Sequence, residues 1–142
     1  MVNTMKFLTK DDVRSIHEAV VAEFDGPDTG VRNEQLLDAA AARPRHMAAY
    51  QDARVEAVGA KLFEGILQYR PFVDGNKRTA LASLSHLLAA NGLSFDPDPV
   101  EAIRIAGQRS TEATIDWIAR SCEPMPAPEE GSDPEPGAAP TP

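Results

Sequence analysis

The chain has one cysteine, Cys122. No internal disulfide can form, which suits a reducing cytoplasm. It has no apolar run of about 18 residues, the length a membrane-spanning helix needs. Residues 1–6 lack the apolar core of a signal peptide. No stretch alternates as a strand would, and Leu93-Ser94-Phe95 is too short to count as one. There are no internal repeats. The three histidines, His17, His46 and His86, have no ligand-like spacing and read as structural or surface residues. Nor is there a broad basic face. The net charge is −8, but five acids of residues 123–142 (Glu123, Glu129, Glu130, Asp133 and Glu135) have no base among them, and without them the charge is −3. Direct binding of DNA or RNA is not expected from such a balance.

What is present suffices for one domain. The chain is 142 residues long and 42% hydrophobic, an ordinary share for a globular core. Thr9 is placed as an N-cap, with Asp12 three residues on to close a capping box. Val13, Ile16, Val20 and Phe24 then recur at helical steps, until Asp25-Gly26-Pro27 stops the pattern. A short helix follows over 34–42, with Arg43-Pro44 expected to break it. Residues 52–69 hold the strongest helical stripe: Val55, Val58, Leu62, Ile66 and Tyr69. Ala57, Gly59 and Ala60 are small enough to let another helix close in.

Pro71 ends that segment and pushes Arg70 toward an extended conformation. A new helix starts near Asn76, striped by Leu81, Leu84, Leu87 and Leu88, and stops at Asn91-Gly92. Asp98-Pro99 opens a further helix to about Gln108. Ser110 or Thr111 caps the last, with Ile115 and Ile118 inward and Trp117 covering an edge. The class is all-α, a compact bundle of about six helices over residues 1–122. Residues 123–142 contain seven prolines, the five acids and mostly small residues, so they are expected to form a disordered tail.

The chemistry concentrates in residues 70–78, Arg-Pro-Phe-Val-Asp-Gly-Asn-Lys-Arg. Gly75 lets the backbone turn tightly and come close to a ligand. Free N–H groups at the start of a helix, with the helix dipole behind them, favour an anion. Asn76 adds an amide donor, Lys77 a point charge, and Arg78 a fork for two oxygens. Asp74 is placed to hold Mg²⁺ against a phosphate. The same five residues also suit a polar capping turn, and composition alone does not separate the two readings. Phe72 reads as a core anchor in either. Arg43 and Arg45 could rim the mouth of a site or simply solvate a loop, the second being the simpler reading, and Cys122 carries no sign of an activated thiolate.

This run resembles the signature of the Fic/Doc (Fido) family in its death-on-curing branch, His-Pro-Phe-x-Asp-Gly/Ala-Asn-Lys-Arg. It matches at every fixed position but the first, where Arg70 stands in place of the catalytic histidine. Gly30-Val31-Arg32-Asn33, running into Leu36-Leu37-Asp38-Ala39-Ala40 and Arg43-Pro44, is similar to the family's upstream flap segment. The similarity covers roughly residues 5–120. Lys77 in place of a second glycine, and Leu81 in place of a later arginine, resemble the kinase-type pattern rather than that of the adenylyltransferases. The resemblance implies a Fido fold and a toxin of a toxin–antitoxin pair. Such toxins move the γ-phosphate of ATP to a threonine of EF-Tu and are restrained by a Phd-like antitoxin. It assigns Mg²⁺ to Asp74, and ATP phosphates to Gly75, Asn76, Lys77 and Arg78. Arg70 occupies the catalytic position but stays protonated, with a pKa above about 12, so the chain is expected to be impaired as written. The alternatives are a pseudoenzyme that binds nucleotide or antitoxin, and a Fic-type adenylyltransferase.

Overall fold

A computed structural model of the chain describes residues 5–24, 30–50 and 54–126. Six helices and two short strands run in the order α1 (Lys10–Glu23), α2 (Glu34–Tyr50), α3 (Val55–Tyr69), α4 (Asn76–Ala90), β1 (Leu93–Phe95), α5 (Pro99–Gln108), α6 (Thr111–Ser121) and β2 (Cys122–Pro124). The all-α bundle expected from the periodicity is therefore the fold. Its local signals act as expected. Thr9 and Asp12 form the reciprocal capping box of α1. Asp98 caps α5 ahead of Pro99, and Ser110, not Thr111, caps α6.

α3 is the central element and packs against α2, α4 and α6. Val58, Leu62, Phe63 and Ile66 are buried along it. A Cβ built on Gly59 would lie 2.8 Å from Leu84 Cδ1, so the glycine leaves room for that leucine at the contact between α3 and α4.

Four expectations change. α2 does not break at Arg43-Pro44; it continues through a buried Pro44 to Tyr50. Proline has no N–H to give the Ala40 carbonyl, so the local cost is real. A Cβ on Gly65 of α3 would sit 3.5 Å from both Cα and O of Ala40, so the two backbones meet at the point of the missing bond. Packing on α3 carries the helix across the proline.

Trp117 does not cover an edge. It is fully buried, with Phe63 at 5.4 Å and Phe95 at 5.3 Å between ring centroids, while Ile115 is only partly buried. Leu93–Phe95 is a strand after all, paired antiparallel with Cys122–Pro124 so that Phe95 faces Cys122 and Leu93 faces Pro124. A three-residue strand has no periodicity of its own to detect; its partner, far along the chain, defines it. The pairing also takes in Glu123 and Pro124, which composition assigns to the tail, and the Met125 amide reaches the Gly92 carbonyl. The expectation of disorder for 127–142 lies outside the described residues, as does the Asp25-Gly26-Pro27 stop. The fourth change, at Arg70, belongs to the candidate site.

Among the described residues no helix is long and apolar enough to cross a membrane.

Candidate functional site

The turn between α3 and α4 is held from four sides. α3 ends on Arg70, whose amide still bonds the Ile66 carbonyl at 3.0 Å. Arg70 is left-handed (φ 49°, ψ 61°), not extended. The following proline disfavours the right-handed helical region, and of the remaining choices the left-handed one also closes the helix C-terminus. Arg32 fixes that choice. Its Nε donates to the Arg70 carbonyl at 2.8 Å and its Nη2 to the Tyr69 carbonyl at 2.7 Å. A cation thereby satisfies two carbonyls at the negative end of α3.

The upstream segment is stitched to the signature through its backbone. Amides of Arg32 and Asn33 both reach the Pro71 carbonyl, at 2.7 and 3.2 Å, and the Val73 amide reaches the Gly30 carbonyl at 3.2 Å. Val31 and Phe72 form an isolated antiparallel bridge. Asn33 then starts α2 by accepting from the Leu36 amide at 3.0 Å.

From below, α1 supplies His17. Its ring lies flat on Phe72, 3.9 Å between centroids and 2° between planes. Its Nε2 is 2.9 Å from the Asp74 carbonyl oxygen. A carbonyl only accepts, so Nε2 must carry the proton. His17 is buried, so the structural reading of this histidine holds and the surface one does not. Gly75 has φ +79°, and a Cβ there would stand 3.6 Å from His17 Nε2.

The fourth hold is Asn76. Its side-chain oxygen accepts from the Phe72 amide at 3.0 Å and its Nδ2 donates to the Phe72 carbonyl at 2.9 Å. The buried amide thus latches the loop to itself, leaving one N–H for other use. The Asp74 carboxylate bends back onto the Gly75 amide at 2.8 Å.

The two cations diverge. Lys77 and Arg78 are both exposed, but successive helix residues point about 100° apart. Arg78 lies over the Phe24 ring at the end of α1, 3.7 Å from its centroid. Lys77 lines a cavity of about 360 Å³ between α3, α5 and α6, together with Arg43, Arg70, Asn76 and Arg109. Asp74, Gly75 and Arg78 are not in its wall. Of the six residues singled out from the sequence, Arg70, Asn76 and Lys77 thus share the cavity, Asp74 and Gly75 lie on the turn beside it, and Arg78 faces Phe24 from α4.

Sequence reasoning did not find His17, Arg32 or Arg109 as parts of the site. The helical stripe of α1 gives the only advance signal for His17, since it follows Val13 by one turn. Arg32 falls in the segment similar to the family's flap, which marks it without giving it a role, and nothing local marks Arg109.

A family model for the Fic/DOC family matches residues 7–88, more than half of the chain. The chain is also similar to Toxin Doc of Mycolicibacterium smegmatis (strain ATCC 700084 / mc(2)155), 39% identical over 82 residues, which cover 54% of this chain and 63% of that protein. The similarity therefore spans less than two thirds of the relative. The matched region contains α1, the latched turn and most of α4, with the family's signature in the turn itself. The chain belongs to the Fic/DOC family.

Proposed function

We propose that this chain is the toxin of a toxin–antitoxin pair, built on the scaffold of a protein kinase that transfers the γ-phosphate of ATP to a threonine of EF-Tu and so arrests translation. The observation that carries the reading is the turn from Pro71 to Arg78, latched by Asn76 at the N-terminus of α4, in a chain similar to Toxin Doc. Phosphoryl transfer needs little covalent help from the protein, so positioned charge is the main requirement. Lys77 and Arg78 supply positive charge, and the free N–H of Asn76 and the amide of Gly75 supply donors at the positive end of the helix dipole.

Asp74 would hold Mg²⁺. Among the described residues no group of three or more His, Cys, Asp or Glu could hold a metal ion. One carboxylate nevertheless fits Mg²⁺, which commonly takes its remaining ligands from substrate phosphates and water. When bound, the ion would neutralise charge on the phosphate oxygens. Asp74 holds the Gly75 amide with Oδ1 alone, so its other carboxylate oxygen is the one placed to meet the ion.

Arg70 stands where a base is required to take the proton from the threonine hydroxyl. It cannot do so, because it remains protonated. The chain is therefore impaired in transfer as written. A histidine codon becomes an arginine codon by one base change, so Arg70→His is the restoring substitution. The test incubates each form with EF-Tu, ATP and Mg²⁺ and weighs the product. Arg70→His should add a phosphate to EF-Tu and the present chain little or none. An added AMP would replace the kinase with an adenylyltransferase. A silent Arg70→His chain that still binds ATP would support the second reading, a pseudoenzyme, which the clustering of Arg70 with other cations on the cavity wall favours. The partner implied is a Phd-like antitoxin. The exposed apolar pair Val100 and Ile103, one turn apart on α5, offers such a segment a face.

A further inference from the structure

The two non-glycine residues with positive φ among the described residues are Arg70 (φ 49°) and Arg109 (φ 56°), and both line the same cavity. Each ends a helix, Arg70 closing α3 and Arg109 closing α5. Glycine would serve either turn with less strain. What an arginine adds is its side chain, and here both side chains border one space.

The charge around that space is lopsided. Arg43, Arg70, Lys77 and Arg109 line it against one carboxylate, Glu64, which is already 3.8 Å from Lys61. Arg43 is steadied by neutral groups, donating to Gln68 Oε1 at 3.0 Å with its guanidinium carbon 5.6 Å from the Tyr69 ring centroid. Among the described residues, the side chains of Arg70, Lys77 and Arg109 have no acidic partner. Like charges gathered on the wall of a cleft repel one another and focus a positive potential into it. A volume of about 360 Å³ suits a small ligand, and Phe63, Leu67 and Ile105 give it apolar walls.

We infer that Arg109 and Arg43 extend the anion seat beyond the signature, making this cavity a site for a linear oligophosphate, whether free or carried by a nucleoside. The inference rests on the reading of the signature as a phosphate seat and adds contacts that the signature does not contain. Arg109 comes from the junction of α5 and α6 and Lys77 from α4, so separate elements supply cations to the same cavity. Guanidinium groups suit this task because each can bond two phosphate oxygens.

The test is calorimetric titration of the full chain with ATP and, separately, with inorganic tripolyphosphate, both with Mg²⁺. Three variants accompany the wild-type chain: Arg109→Gly, Arg109→Lys and Lys77→Ala. Arg109→Gly should weaken both probes roughly tenfold, the scale of one charge-assisted hydrogen bond. Its thermal midpoint should not fall, since glycine suits a left-handed cap. Arg109→Lys should recover part of the loss. Binding unchanged in Arg109→Gly but lost in Lys77→Ala overturns this inference and leaves the signature reading standing. Loss in Arg109→Gly with Lys77→Ala unaffected overturns the signature reading, and with it the claim that Arg109 extends that seat. If Arg109→Gly weakens ATP alone, the arginine contacts the nucleoside and the oligophosphate assignment fails. Tripolyphosphate binding without ATP binding assigns the site to the free anion. If the wild-type chain binds neither probe, both readings fall.

Discussion

His17 lies flat against Phe72, 3.9 Å between ring centroids, while its Nε2 reaches the Asp74 carbonyl at 2.9 Å. One side chain from α1 thus supports both the anchor of the signature turn and the backbone of its acid. Neither residue could be paired with His17 from its position in the sequence.

Replacing His17 separates the two contributions. His17→Phe keeps an aromatic face on Phe72 but leaves the Asp74 carbonyl without its donor. It should lower stability by about 1–2 kcal/mol, within the range for a lost partner of a buried polar group. His17→Ala removes the stack as well and should cost about 3 kcal/mol, as for other aromatic truncations in cores. Urea unfolding of the two variants measures the difference. Equal losses would mean that the stack contributes nothing.

Asn76 should tolerate no substitute. Asn76→Ala leaves both the amide and the carbonyl of Phe72 unpartnered, at about 1–3 kcal/mol for each. Asn76→Asp keeps the acceptor but sets a carboxylate against the Phe72 carbonyl, so it should also destabilise. Hydrogen exchange at the Phe72 amide reports the latch directly, because its protection depends on the Asn76 side-chain oxygen. Exchange unchanged in Asn76→Ala would show that the latch is not what closes the loop.

Cys122 should be a slow nucleophile in the native chain. Burial, and next the nearby Glu56 carboxylate, push its thiol up to about 11. Native labelling by a thiol reagent should stay slow at pH 8 and climb only as the pH approaches that value, whereas the unfolded chain should react fully near pH 9. The sign for stability follows. Above the unfolded value the unfolded chain loses this proton and the folded chain keeps it, so stability declines as pH rises between about 9 and 11. Rapid native labelling at pH 8 would contradict the partial burial of this residue against β1.

Much of the frame is legible locally. The capping box at Thr9 and the Asp98-Pro99 start each act within one helical turn, so the residues that decide them are neighbours in sequence. Val58, Leu62 and Ile66 of the expected stripe lie on the buried face of α3 for the same reason. Errors arise where a distant contact outweighs the local preference. Pro44 should break a helix, yet α2 runs through it against α3. Trp117 reads as an edge residue because its helix alone does not show that Phe63 and Phe95 flank it.

The candidate site divides the same way. Its signature is contiguous, so the sequence by itself determined the turn, the acid, the two cations and the absence of a histidine at position 70. Only the tertiary structure decided that His17 supports the turn, that Arg32 caps α3, and that Lys77 and Arg78 part company. It also decided that Arg43 and Arg109, distant in sequence, share a cavity with Arg70. Residue type and short-range spacing fix what a segment can do chemically, but a cavity wall is assembled from helices that meet only on folding.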